Sequence, residues 1–269
     1  MGILNLDPDS FYKESIVTTI HMALKKVETM LNDGLDILDI GAFTSKPGTE
    51  IPDYQQERQL LMPFLNAIRN EFEGLAISVD TMNSLIAQES IEFGADIIND
   101  ISGGIFDPKL PELVKDADKI YIAMHMRGIP KTMQSTENTS YQDVVTDLIK
   151  YFSKTIEHLK RIGLHKVIID PGFGFSKKTT DNFLILKNLE CFQILSKPIL
   201  VGISRKSMIY KNLNLSPETA LIGSVVAEFY AVLKGCSIVR VHDVKETKQM
   251  LSIYKMIHPN VENKSNFVK

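Results

Sequence analysis

Ile199-Leu200-Val201-Gly202-Ile203-Ser204-Arg205-Lys206-Ser207 passes from an apolar run straight into a cluster of hydroxyls and cations. A continuous apolar run suits a parallel strand covered on both faces better than a half-exposed antiparallel one. Such a strand tolerates polar groups only at its ends, and here they stand at the carboxyl end. Seven more segments read the same way, at 2–5, 37–41, 76–80, 97–101, 120–124, 167–170 and 238–242.

Amphipathic stretches separate these runs. In the first, Ile20, Ala23, Leu24, Val27 and Leu31 share one helical face, opposite Lys25, Lys26 and Glu28. The same spacing predicts helices over 54–72, 83–93, 109–115, 141–162, 182–195, 217–234 and 245–257. Gly34, Gly94 and Gly235 stand where three of the helices must stop before the next strand. Eight βα units predict an α/β chain folded as a single TIM (β/α)8 barrel over residues 1–257, and disfavour an open doubly wound sheet. The polar, aperiodic tail at 258–269 is expected to be mobile.

The 269 residues fit a barrel of about 250. An apolar fraction of 44% supplies its core, and a net charge of −3 argues against a general nucleic-acid binder. No apolar run of about 20 residues implies a membrane span, and no secretory leader opens the chain. Cys191 and Cys236 are expected to be buried thiols in a reducing, cytoplasmic setting. The histidines are scattered without zinc spacing. Gly172-Phe173-Gly174-Phe175 lacks the third glycine of a dinucleotide fingerprint.

Almost every strand ends in a polar residue: Asn5, Asp80, Asn99 with Asp100, His125, Asp170, Ser204 to Lys206, then Arg240 and His242. In such barrels the carboxyl face carries the chemistry, and the loops after strands seven and eight commonly hold phosphate. The pattern predicts an anion clamp among Arg205, Lys206, Arg240 and His242, facing acceptors at Asp80, Asn99 and Asp170. Asp80 reads either as one of these acceptors or as a cap for the next helix. Asp100, on the opposite face from Asn99, reads as structural. His125 reads equally as a site residue or a satisfied core histidine. The loops at 7–11 and 44–48 read as lids over the mouth or as plain connections.

Met1-Gly2-Ile3-Leu4-Asn5, Asp80-Thr81, Asn99-Asp100-Ile101-Ser102-Gly103-Gly104, Met124-His125-Met126, Asp170-Pro171-Gly172-Phe173-Gly174-Phe175, Ser204-Arg205-Lys206-Ser207 and Arg240-Val241-His242-Asp243-Val244 together resemble the dihydropteroate synthase family, in order and at its spacing. The resemblance runs from Met1 to about Met256. It implies a folate-pathway βα barrel, commonly dimeric through its late helices. Such an enzyme joins 6-hydroxymethyl-7,8-dihydropterin diphosphate to 4-aminobenzoate with Mg²⁺, releases diphosphate, and is blocked by sulfonamides.

The resemblance assigns the pterin to Asp80, Asn99, Asp170, Gly202, Lys206 and Phe175. It assigns the diphosphate to Ser45, Arg240, Val241 and His242, and the Mg²⁺ to Asn5. The aminobenzoate falls to Ser45, Pro47, Phe175, Lys206 and Ser207. The catalytic burden would fall on Asp80, Lys206, Arg240 and His242. Two loops depart from the family pattern: Lys13 stands where an aspartate is usual, and Lys46 where an arginine is. Both lie in the loops that assemble the aminobenzoate site. A pterin-dependent methyltransferase, or a pterin-binding protein with crippled lids, are the competing readings.

Overall fold

The computed structural model describes residues 1–6, 17–44, 46 and 48–259. Among the described residues eight strands alternate with helices: β1 Gly2–Asn5, β2 Ile37–Gly41, β3 Ala76–Asp80, β4 Ile97–Asp100, β5 Ile120–Met124, β6 Val167–Asp170, β7 Leu200–Val201 and β8 Ile238–Val239. β1 to β6 pair in sequence order as parallel neighbours, and β7 pairs with β8. Two single bridges, Ile169 with Ile199 and Gly2 with Val241, join the pieces. The Val241 N–H donates to the Met1 carbonyl at 2.9 Å, and its carbonyl accepts from the Ile3 N–H at 3.0 Å. These bonds close the ring into a TIM barrel.

Residues two apart along a strand face the same side, and this period sorts the interior into layers. Met1, Ile37, Ile97, Ile122, Ile168 and Leu200 pack together as an apolar floor. Two residues further on, the same strands present Asp39, Asn99, Asp170 and Gly202, and Arg240 follows Ile238. The barrel therefore changes from hydrocarbon to polar groups within one pleat. The outward-facing residues pack on the helices. Leu38, Ile40, Ile77 and Ile98 meet Val27, Leu61, Leu65 and Ile68. Ile169, Val201 and Ile203 meet Leu148, Phe152 and Phe192. Each fully buried side chain of this type contributes about 1.5–3 kcal/mol.

The helices are α1 Ile20–Asn32, α2 Tyr54–Glu71, α3 Ser84–Glu92, α4 Lys109–Asp116, α5 Val144–Arg161, α6 Thr179–Lys187, the short α7 Ser207–Tyr210, α8 Leu221–Leu233 and α9 Val244–Ile257. Gly34, Gly94 and Gly235 all take left-handed φ as expected. The helix expected over 182–195 is interrupted. The Asn188 side chain donates to the Leu184 carbonyl at 2.8 Å, and the chain continues as a 3-10 turn over Leu189–Leu195. α5 starts three residues later than expected because the Asp143 carboxylate caps it, accepting from the Val145 and Thr146 N–H groups. α8 likewise begins after a separate 3-10 turn at Pro217–Thr219.

β7 and β8 are shorter than the runs at 199–203 and 238–242. Past Val201 the chain turns through a left-handed Arg205 (φ 53°), and the His242 N–H turns to the Ser204 hydroxyl instead of a strand carbonyl. Among the described residues no helix is long and apolar enough to cross a membrane. The loop expected at 7–11 and residues 260–269 of the tail lie outside the described residues.

Candidate active site

Asn5, Gly41, Asp80 and Asn99 stand level with one another across β1 to β4. Met124 and Asp170 stand level across β5 and β6. The mouth above the polar layer is thus ringed by side chains from distant parts of the chain.

At its centre lies Arg240. Its Nε donates to Asp39 Oδ2 at 2.6 Å, and its Nη2 to Asp80 Oδ2 at 3.2 Å. Asp39 is fully buried, and its other oxygen accepts from the Ser78 hydroxyl at 2.6 Å. The Asn99 amide approaches both Asp39 oxygens at 3.5 Å, and its own Oδ1 is buried with no protein partner. Burial pushes the Asp80 carboxyl up to about 7; Arg240 opposes this, and Asp39 and Glu57 add to it. Asp80 is not a helix cap: Asn83 caps α3, accepting from the Leu85 N–H, and Thr81 supports Asn83.

Asp170 closes β6 and accepts from the Gly172 N–H at 2.8 Å. Its pKa is raised by burial, against the pull of Lys206 first and Arg240 after it. The predicted acid and base clusters therefore lie close enough at the barrel mouth to act on one another. Lys206 reaches across to the Phe173 carbonyl at 2.5 Å, with its ammonium 4.6 Å from the Phe175 ring centre. Burial brings Lys206 down to about 8, reinforced by Arg240 and opposed by Asp170 and Asp80. Phe175 packs with Ile101, Met124, Met126 and Met133, which gives this side of the mouth an apolar wall.

His242 is held through Nδ1, 3.2 Å from the Ser204 hydroxyl. Burial, then Arg240, keeps its pKa well below the usual imidazole range, so the ring is neutral. Ser207 is exposed at the start of α7, immediately after Lys206. Gly202 has no left-handed backbone, and a Cβ there would meet only Arg240, at 3.8 Å. Both main-chain polar groups of Val241 are committed to closing the barrel, which sets Arg240 and His242 on either side of that closure. Ser45 and Pro47 lie outside the described residues.

The structure sorts the remaining residues: Asp100 is structural as expected, His125 takes one of its two readings, and Arg205 and Cys191 depart from expectation. Arg205, in the cationic cluster after strand seven, is turned away from the mouth. It pairs with both Asp243 oxygens at 2.8 Å and donates to the Pro217 and Glu218 carbonyls. His125 is a core residue, edge-on to Tyr151 at 4.7 Å between ring centres. Asp100 is structural, accepting from Ser102 and Gly104 N–H groups and the Tyr121 hydroxyl. Cys191 is exposed, because its segment is a surface 3-10 turn; Cys236 is half-buried.

Four buried acidic or basic groups lie away from the strand ends: Asp39, Glu57, Lys177 and Glu228. Asp39 was detectable, since it is the one charge inside the apolar run Ile37-Leu38-Asp39-Ile40-Gly41. Glu57 sits on the buried face of α2, hydrogen-bonded to Thr81, and burial raises it to about 7.

The Pterin binding enzyme family model matches residues 1–242. The chain is 38% identical to the dihydropteroate synthase of Escherichia coli K12 over 266 residues, covering 98% of this chain and 93% of that protein. The chain belongs to the dihydropteroate synthase family of pterin-binding enzymes. Among solved family members, the Yersinia pestis dihydropteroate synthase in a sulfonamide drug complex superposes with a TM-score of 0.90 at 35% identity, covering 96% of this chain and 93% of that one. The Xanthomonas albilineans dihydropteroate synthase with 4-aminobenzoic acid gives 0.86 at 30% identity, covering 96% and 92%. The family's barrel thus extends over nearly the whole chain, mouth included.

Proposed function

We propose that this chain is a dihydropteroate synthase, a transferase of folate biosynthesis. It condenses 6-hydroxymethyl-7,8-dihydropterin diphosphate with 4-aminobenzoate to 7,8-dihydropteroate and releases diphosphate. The observation that carries the reading is the convergence of Asp80, Asn99 and Asp170 with Lys206 and Arg240 at the barrel mouth.

The pterin ring presents amino and N–H donors. Asp170, Asp80 and the unpartnered Asn99 Oδ1 are its acceptors, and carboxylates make the stronger bonds. Lys206 donates to the ring's carbonyl edge. The missing side chain at Gly202, where a Cβ would stand against Arg240, lets the ring lie close to the backbone, and Phe175 flanks it. The diphosphate lies at Arg240 and neutral His242, with Val241 fixing their spacing and Ser45 beside it. Arg240 donates to both Asp39 and Asp80, so its guanidinium is already oriented before substrate arrives.

The reaction breaks the methylene C–O bond and forms a C–N bond. Positive charge develops on the pterin, where Asp80 and Asp170 offset it; negative charge develops on the diphosphate, where Arg240 and His242 receive it. One well-placed donor of this kind supplies about 3 kcal/mol. The neutral arylamine attacks the methylene carbon, and its extra proton leaves to solvent. The aminobenzoate lies against Phe175 and Pro47, near Ser45 and Lys206, with its carboxylate towards Ser207. No side-chain nucleophile enters the chemistry.

Mg²⁺ fits this site as a partner of the substrate. Among the described residues, no three or more His, Cys, Asp or Glu gather as a metal cage. A hard cation that keeps its waters and binds through phosphate oxygens needs only one or two protein oxygens, and the Asn5 amide oxygen at the end of β1 is the one assigned. When bound, the ion neutralises charge on the leaving diphosphate.

A homodimer is the proposed assembly. Ile222, Val226 and Leu233 on α8 and Ile253, Met256 and Ile257 on α9 expose an apolar face of the kind that marks protein contacts. The two free cysteines suit a reducing compartment, and we place the chain in the cytoplasm.

The test is to incubate the protein with dihydropterin diphosphate, Mg²⁺ and labelled 4-aminobenzoate. Labelled dihydropteroate and diphosphate in equal amounts are expected. Tight pterin binding without product would overturn the reading in favour of a non-catalytic pterin binder.

A further inference from the structure

Lys177 lies two residues beyond Phe175 and is almost completely buried. Its Nζ stands within hydrogen-bond distance of four acceptors: His125 Nδ1 at 3.0 Å and the carbonyls of His125 at 3.3 Å, Gly172 at 3.0 Å and Phe175 at 2.9 Å. An ammonium has three donors and no lone pair, whereas a neutral amine would turn a lone pair towards one of these acceptors. The cage therefore favours the charged form, against the burial that pulls the Lys177 pKa well down. His125 must then accept at Nδ1 and carry its proton on Nε2.

Two of the caged carbonyls belong to the turn that follows Asp170, and the His125 groups belong to the end of β5. The same turn is tied down elsewhere. The Arg127 N–H donates to the Ser176 hydroxyl, the Tyr141 hydroxyl to the Ser176 carbonyl, and the Gln134 amide to the Gly174 carbonyl. The packing is tight enough that a Cβ on Gly172, which has φ 71°, would fall 2.2 Å from the His125 carbonyl oxygen. Ser176 is held at φ 46°, a conformation serine seldom adopts. Lys177 bonds both strand ends at once.

We propose that Lys177 is a positioning residue for pterin binding: its caged ammonium fixes the 170–175 turn and places positive charge behind the Asp170 carboxylate. The proposal rests on the reading that Asp170 receives the pterin. Asp170 then feels two cations, Lys206 more strongly and Lys177 less. Both cations favour its ionised form, which is the form that accepts from the pterin. The other titratable groups facing Lys177 are His125, Arg127 and Asp181. His125 is neutral, so Lys177 and Arg127 supply the charge behind the turn.

The sign of the effect follows. Removing the Lys177 charge raises the Asp170 pKa, so Asp170 protonates at higher pH and the acid limb of pterin binding moves up. The experiment measures affinity for 6-hydroxymethylpterin by calorimetry from about pH 4 to about pH 8 in wild type, Lys177→Met, Lys177→Gln, Lys177→Arg and Asp170→Asn. Lys177→Gln keeps donors for the carbonyls and guards against a folding failure of Lys177→Met. The acid limb should rise by about one pH unit in both neutral variants and stay near wild type in Lys177→Arg. Affinity below the limb should fall about tenfold in the neutral variants. An unmoved limb in a folded neutral variant overturns the proposal, as does an equal loss in all three Lys177 variants. Wild-type affinity in Asp170→Asn would instead overturn the assignment of Asp170 to the pterin, whatever Lys177 does.

Discussion

Two arginines leave adjacent strand ends, and the chain uses them in opposite ways. Arg205 is sealed in. Its side chain is 5% exposed, it meets both oxygens of Asp243, and its remaining reach is taken by two carbonyls. Arg240 is 20% exposed at the mouth and meets two different carboxylates with one nitrogen each. A guanidinium closed on one carboxylate fork is a rivet. One stretched between Asp39 and Asp80 is oriented but keeps donor capacity for an anion. The difference shows that partner geometry separates a structural cation from a working one, where charge and sequence position do not.

The largest effect expected from breaking this contrast is at Arg205. Arg205→Met strands the largely buried Asp243 carboxylate and releases two carbonyls, and should cost about 3–5 kcal/mol of stability, read from urea unfolding. Turnover per folded molecule should change little, and a stable but inactive Arg205→Met would erase the distinction. Arg240→Lys should do the reverse. It keeps the charge but loses the fork, so turnover should fall about 100-fold while unfolding free energy stays within about 1 kcal/mol. Affinity for free pterin should barely move, because the lost contact is to diphosphate.

Asp39→Asn sharpens the contrast by removing only the support of Arg240. We expect turnover to drop about tenfold, with pterin affinity less affected. Asp39 also helps raise Asp80 to about 7. Without its charge the Asp80 pKa falls, so the acid limb of kcat/KM should move to lower pH. An acid limb that stays in place would remove Asp80 from that limb.

The smallest effect lies beside the rivet. Glu228 is buried between α8 and α9, accepts from the Thr247 hydroxyl at 2.9 Å, and is raised to about 7 by burial. A carboxyl raised in the folded state contributes fully below its unfolded pKa of about 4.5. That contribution is lost as pH rises through about 7. Glu228→Gln should therefore melt with wild type at pH below that window and a few degrees above it at higher pH, about the shift expected from a small stability gain. Equal melting at all pH values would show that Glu228 ionises freely in the fold.

The strands were legible because a barrel strand is buried on both faces, so its apolar run is continuous and its polar end is sharp. That logic found Asp80, Asn99, Asp170, Lys206, Arg240 and His242 at the mouth. It missed Asp39 because it looked for charges only after each run. Asp39 stands two residues before the end of β2, on the same face as Ile37 and Gly41. Arg205 and Lys206 look alike to it, although consecutive residues leave a strand end in different directions and only Lys206 reaches the turn after Asp170. Lys177 gave no local signal, because its cage is built by carbonyls from a turn and a neighbouring strand. Helix ends slipped at Asp143 and Asn188, where side chains compete for backbone groups.

A crystal structure with a pterin diphosphate analogue and Mg²⁺ bears most directly on the mouth. The expected result has the pterin's amino edge on Asp170 and Asn99, and the diphosphate on Arg240 and His242, with the methylene between them. A pterin bound away from Asp170, or a diphosphate held without Arg240, would contradict the shared cavity.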